Sequence, residues 1–334
     1  MKKTKKLLAC LIAAATMFTM GSTAFAADAD TTSTTYTDQP TVTIKKAYKL
    51  ANAGTASPEE TFNLKQVGSG TVTDGEADSA PALGTITGAY FKEEGATTGD
   101  GTIGKITVEL PSYTKVGVYE YTLREENNNT AGVTYYGNDI KLVVTVINDG
   151  DGKLRVAAVH TEGEGKDKND TFTNTYSAGN LSVTKEVEGN LGDKNKKFDF
   201  TVTFKKPEGK NVKSTVTATI AGTKDNSFVL NWNEKGECEY TFELADKETA
   251  AFDNLPYGVS YTVTEAKAEG YTTTMEDEKG TVNSATQTST FTNTKDGKVD
   301  TGVNLTTLPY ILVFAGVIVI AGAAFITRRR KFED

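Results

Sequence analysis

Short runs in which apolar residues alternate with Thr, Lys or Glu recur along most of this chain, and they constrain its fold more than any other feature. In such a run the side chains at i, i+2 and i+4 share a face, so alternation specifies a strand with one buried and one wet side. The runs are Val42 to Lys46, Lys105 to Leu110, Val118 to Arg124, Ile140 to Ile147 and Lys153 to His160, then Phe198 to Phe204, Thr215 to Ile220, Cys238 to Leu244 and Val259 to Glu265. Turns rich in Gly, Asn and Asp separate them, and no long amphipathic helix intervenes before residue 305. An all-β chain is the expectation.

The runs also repeat. Val42-Thr43-Ile44-Lys45-Lys46 corresponds to Leu181-Ser182-Val183-Thr184-Lys185, and Thr171-Phe172-Thr173-Asn174-Thr175 to Thr290-Phe291-Thr292-Asn293-Thr294. Between these pairs, Tyr119 to Glu125 matches Val259 to Glu265. A repeat of this length marks two domains, expected at 39–177 and 180–296, each a Greek-key sandwich of immunoglobulin-like type. The polar stretch Glu162 to Asp170, just before the closing run of the first half, reads as an extra loop.

The repeated runs end in polar residues on their inward face. Val42, Ile44 and Lys46 share a face, as do Leu181, Val183 and Lys185; Tyr121, Leu123 and Glu125; Tyr261, Val263 and Glu265; Phe172 and Asn174; Phe291 and Asn293. Lys45 and Glu126 fall on the opposite faces. A lone buried Lys, Glu or Asn is costly, but the three can satisfy one another. Burial lowers a lysine pKa and raises that of a carboxylic acid, giving a nucleophilic amine and a proton-donating carboxyl beside a carboxamide. A single such residue more often ends a core strand at solvent; two triplets in the same order and parity favour chemistry.

Both ends point to export. Lys2, Lys3, Lys5 and Lys6 precede an apolar stretch and the small-x-small site Ala24-Phe25-Ala26, so residues 1–26 read as a signal peptide. At the other end, residues 305–327 carry no charge and are long enough for a transmembrane helix, and residues 328–334 with Arg328-Arg329-Arg330-Lys331 form a basic cytoplasmic tail. Without the leader and the segment after Thr301, 28 basic residues face 42 acidic ones, a net charge of −14 that excludes nucleic acid as a partner. Cys238 alone remains, so no intramolecular disulfide can form. With one histidine, His160, and one cysteine, no Cys/His nucleophile or metal constellation can be assembled, and no cofactor motif is present.

Residues 298–302, Lys-Val-Asp-Thr-Gly, stand just before the apolar span. This arrangement resembles the sorting signal of Gram-positive surface proteins, and the Val-Pro-Thr-Gly variant of streptococcal pilins in particular, although Lys298 replaces the usual Leu and the pentapeptide has no proline. With the triplets of both halves and the Tyr261-Thr262-Val263-Thr264-Glu265 segment, similar to the E-box of pilin domains, the chain resembles the pilin isopeptide linkage domains of FctA-type major pilins. In the first half Arg124 and the Asn127 to Asn129 run depart from the E-box pattern. The resemblance implies intramolecular isopeptide bonds from Lys46 to Asn174 and from Lys185 to Asn293, assisted by Glu125 and Glu265. It implies sortase cleavage between Thr301 and Gly302, with Lys166 or Lys168 as the intermolecular acceptor. The expected function is a pilus shaft subunit on the cell surface, a non-enzyme apart from single-turnover crosslinking. The precursor would be held in the membrane by its C-terminal helix. Its expected partners are sortase, other pilin subunits, peptidoglycan or its precursor, and a host surface ligand of unknown identity. The alternative is a monomeric wall-anchored adhesin or stalk.

Overall fold

The computed structural model describes residues 40–149, 151–222 and 227–298. The leader, Thr301, Gly302, the apolar span 305–327 and the basic tail lie outside them. Among the described residues the chain is all β apart from a single 3-10 turn, Glu164–Lys166.

In the first half, one sheet runs Ile86–Thr87, Thr102–Glu109, Thr41–Leu50, Thr171–Tyr176, Val133–Thr134. A second runs Leu154–Glu162, Ile140–Asn148, Gly117–Glu125, Leu64–Gln66, with Thr71–Gly75 also pairing Gly117–Glu125. Inward side chains of both sheets, among them Ile44, Ile106, Tyr121, Leu123, Leu142 and Phe172, form one core. The second half repeats this plan. One sheet is Ser227–Val229, Thr217–Ile220, Thr249–Pro256, Ala178–Glu188, Thr286–Thr294, Thr272–Glu276, and the other is Glu237–Leu244, Phe198–Lys205, Ser260–Glu265, Lys279–Thr281. Its core includes Leu181, Val183, Phe200, Val202, Phe252, Val263 and Phe291.

The opening strand of each half lies parallel to its closing strand, and the two halves use equivalent registers. Lys46 stands opposite Phe172 and Tyr48 opposite Asn174; Lys185 stands opposite Phe291 and Val187 opposite Asn293. Each lysine is thus displaced two residues from its asparagine on the neighbouring strand, and two residues is the period that returns to the same face. Such diagonal neighbours lie within reach of a long side chain.

Several strands outside the alternating runs complete the sheets, two of them beside long strands of the second half. Thr249–Pro256, whose alanines and Asp-Asn-Leu-Pro ending suggest a turn, is a central strand between Ala178–Glu188 and Thr217–Ile220. Thr272–Glu276 flanks the closing strand of the second half. Only Ser177 separates the closing strand of the first half from the opening strand of the second, and its backbone is fixed on both sides: its N–H donates to Gly132 O at 2.8 Å and its C=O accepts from Tyr257 N at 3.0 Å. Gly132 has φ +78°, and a Cβ there would meet Ser177 O at 2.6 Å, so glycine permits this close approach.

Candidate functional site: two buried Lys/Glu/Asn triads

In each half the lysine and asparagine come from adjacent strands of one sheet, and the glutamate reaches across the core from the facing sheet. The opening strand of the first half buries Val42, Ile44, Lys46 and Tyr48 on one side. Gly117–Glu125 buries Tyr119, Tyr121, Leu123 and Glu125, and the closing strand buries Phe172, Asn174 and Tyr176. The polar residues therefore continue rows of apolar ones. The alternation that buries the apolar residues also buries them, with Lys46 only 1% exposed and Asn174 fully enclosed.

The contacts are direct. Lys46 Nζ donates to Glu125 Oε2 at 2.6 Å and to Asn174 Oδ1 at 2.7 Å, while Asn174 Nδ2 donates to Glu125 Oε1. The backbone N–H of Tyr136 donates to Asn174 Oδ1 at 2.8 Å and to Glu125 Oε2 at 3.2 Å. Rings close the site, with the Phe62 centroid 5.3 Å and the Tyr136 centroid 6.0 Å from Lys46 Nζ. In the second half Lys185 Nζ donates to Glu265 Oε2 at 3.1 Å, and Asn293 Nδ2 donates to Glu265 Oε1. The rings of Phe198 and Phe200 stand 4.5 and 6.0 Å from Lys185 Nζ.

Burial holds the Lys46 amine below the ordinary lysine value, outweighing the charge and hydrogen bond of Glu125, which favour the ammonium. Burial acts in the same direction on Lys185, against the hydrogen bond and charge of Glu265 and the charge of Asp246. Each site thus brings together an amine with increased access to its free-base form, a carboxyl group touching both partners, and a primary carboxamide. That set can form an amide by expelling ammonia. The Lys/Glu contact is shorter in the first half, whose E-box departs further from the pattern.

The neighbouring candidates lie elsewhere. Lys45 points to the other face and pairs with Asp170 at 2.8 Å; Glu126 is half-exposed and 3.7 Å from Lys65. A third cluster of the same residue types spans the two halves. Glu60, 1% exposed at its side chain, accepts from Asn128 Nδ2 at 2.6 Å and from Lys213 Nζ at 3.2 Å. The Lys213 side chain is 41% exposed, and the contact is an ion pair between the halves.

The segment expected to be an open loop, Glu162 to Asp170, is partly built structure. Leu154–Glu162 extends into it, the 3-10 turn Glu164–Lys166 follows, and Glu162 forms an isolated bridge with Lys168. Lys168 is exposed there; for Lys166 only the backbone is described. Sequence reasoning missed the Tyr136 N–H, because a backbone donor leaves no residue-type signature.

Comparison with known proteins agrees with this architecture. Residues 42–177 match the family described as Spy0128-like isopeptide containing domain, and residues 179–295 match a separate family described as a domain of unknown function, DUF7601. A pilin of Streptococcus pyogenes serotype M1 is 29% identical over 316 residues, 87% of this chain and 91% of that protein. The pilus tip adhesin Cpa of Streptococcus pyogenes is 29% identical over 130 residues, 37% of this chain and 18% of the adhesin. The crystal structure of the major pilin from Streptococcus pyogenes aligns with a TM-score of 0.53 at 25% identity, covering 78% of this chain and 100% of that one. The first half thus carries the match to the Spy0128-like isopeptide containing domain, in a chain similar over most of its length to a streptococcal pilin.

Proposed function

We propose that this protein is the shaft subunit of a sortase-assembled, cell-wall-anchored pilus, built from two immunoglobulin-like domains that each close on themselves through a Lys-Asn isopeptide bond. The observation that carries this reading is the repeated triad, with lysine on the first strand, asparagine on the last and glutamate between them, in a chain homologous to a pilin over 87% of its length. The similarity to the tip adhesin covers only 18% of that protein and gives the adhesin alternative less support.

In the reaction, the lone pair of the lysine Nζ adds to the asparagine Cγ. The glutamate takes a proton from Nζ through Oε2 and delivers one to Nδ2 through Oε1, the two oxygens that already contact those atoms. Nδ2 leaves as ammonia as the carbonyl re-forms. Amine and carboxamide become a secondary amide and ammonia, with no oxidant and no cofactor, and the glutamate ends as it began. Desolvation favours the step by favouring the neutral amine; in the first half Lys46 and Asn174 already touch, and in the second Glu265 bridges Lys185 and Asn293.

The consequence is mechanical. A bond between the first and last strands of a sandwich makes the closed loop inextensible, and unlike a disulfide it cannot be reduced. A sortase would cut between Thr301 and Gly302 and transfer the Thr301 acyl group to Lys166 or Lys168 of another subunit, or finally to peptidoglycan. The test is the intact mass of the mature chain, residues 27–301. A deficit of two ammonia molecules is expected; the full sequence mass would reject the isopeptide reading. On cells, a ladder of covalent multimers that survives boiling in detergent is expected of a shaft subunit, and a single monomeric species of a wall-anchored adhesin.

A further inference from the structure

We propose that the backbone N–H of Tyr136 is the oxyanion donor of the first-domain crosslinking reaction, and that the second domain, without this donor, closes its bond more slowly. The proposal rests on the isopeptide reading above and adds to it a group that differs between the two sites.

When Lys46 Nζ adds to Asn174 Cγ, the carbonyl electron pair moves onto Oδ1. The negative charge of the tetrahedral intermediate therefore develops at the atom that already accepts the Tyr136 N–H at 2.8 Å. A donor fixed in place before the charge appears stabilises the transition state without reorganisation. The same N–H sets the orientation of the reacting amide. It can only donate, so the carboxamide oxygen must face it, which turns Nδ2 toward Glu125 Oε1. The electrophile is thereby held with its leaving group against the proton relay and its oxygen against the donor.

The N–H is available because of the strand pattern. Val133–Thr134 pairs with the closing strand only at Tyr176 and Thr175, and the chain then leaves the ladder. Two residues later the N–H of Tyr136 turns toward the Asn174 side chain, while its ring packs edge-on against Phe172 with centroids 5.0 Å apart. At the corresponding edge of the second domain, Thr272–Glu276 stays in register with the closing strand from Thr294 to Thr290, with Thr273 opposite Asn293. In a continuing ladder the backbone N–H groups lie in the plane of the sheet and do not turn to a core side chain. Asn293 Oδ1 is accordingly buried with no hydrogen-bond partner among the described residues. The relay contacts, from Lys185 to Glu265 and from Asn293 to Glu265, are shared; the sites differ at the carboxamide oxygen, which in the first accepts from the Tyr136 N–H and from Lys46 Nζ and in the second from neither.

The test follows the two crosslinks separately. The mature chain is made in a cell-free system, samples are quenched in acid over time, and the Lys46–Asn174 and Lys185–Asn293 linked peptides are quantified by mass spectrometry after digestion. In the unmodified chain the first-domain peptide should appear before the second. Replacing Tyr136 by its α-hydroxy acid changes the amide to an ester and removes only the N–H. This should slow the first-domain bond on the order of a hundredfold, with the second-domain bond unchanged as internal control. Equal rates in the unmodified chain, or an ester variant that closes as fast as its parent, would overturn the donor role while leaving the isopeptide bonds in place. Absence of both linked peptides would instead remove the isopeptide reading and the donor role with it.

Discussion

Replacing Asn293 by alanine should lower the melting temperature of the second domain by about 20 °C. The substitution deletes the electrophile and leaves the Lys185 to Glu265 contact at 3.1 Å. The bond it prevents would close a loop of 293 − 185 = 108 residues. For a loop of that length, the chain-entropy treatment of a crosslink gives about 5 kcal/mol of stabilisation through the unfolded state. The matched second-domain segment is residues 179–295, whose unfolding entropy at about 2.1 cal/mol/K per residue is about 0.25 kcal/mol/K. The quotient is the expected shift of about 20 °C. Trp232 is the only tryptophan and packs against the second core, so its fluorescence reports this domain without contribution from the first. Calorimetry of the same sample follows both domains. A Trp232 transition within a few degrees of the parent, with the parent retaining its full sequence mass, would refute the reasoning: the triad would then be a buried polar cluster and not the site of a bond.

The Asn293→Ala variant should also become more stable as pH rises. Its folded-state Lys185 pKa lies below the unfolded value because of burial, so between these two values the unfolded state binds more protons than the folded one, and stability increases with pH across that window. Trp232 melts across that range test this, and a flat profile would count against a desolvated amine. Replacing both Lys166 and Lys168 by arginine keeps the charge but removes the usable amine nucleophile, and should abolish covalent ladders on cells while leaving the intramolecular bonds intact; ladders of normal length would place the acceptor elsewhere. Sequencing the C-terminal peptide of wall-released protein should find Thr301 at its end, joined to the acceptor, and an intact Thr301–Gly302 bond there would argue for a simple membrane anchor.

Parity alone distinguishes Lys46 from Lys45 and Glu125 from Glu126, because a side chain two residues from a core position along a strand shares its face and one residue away it does not. The same rule, applied to the repeated runs, identifies the inward rows of both domains. These features are local, and the sequence by itself determined them. Which strands become neighbours is not local. That lysine and asparagine share one sheet while glutamate faces them from the other follows from a parallel pairing closed across 128 residues in the first domain. Thr249–Pro256 is not legible as a strand because its apolar residues do not alternate cleanly and its ending resembles a turn, yet pairing on both sides makes it a central strand. The stretch after His160 reads as a solvated charge run, but the Glu162 to Lys168 bridge and the Lys45 to Asp170 ion pair hold it to the sheet. The Tyr136 N–H is the extreme case, since nearly every residue carries one: only the tertiary structure, by ending a strand two residues earlier, decides that this one faces the oxygen on which charge would develop.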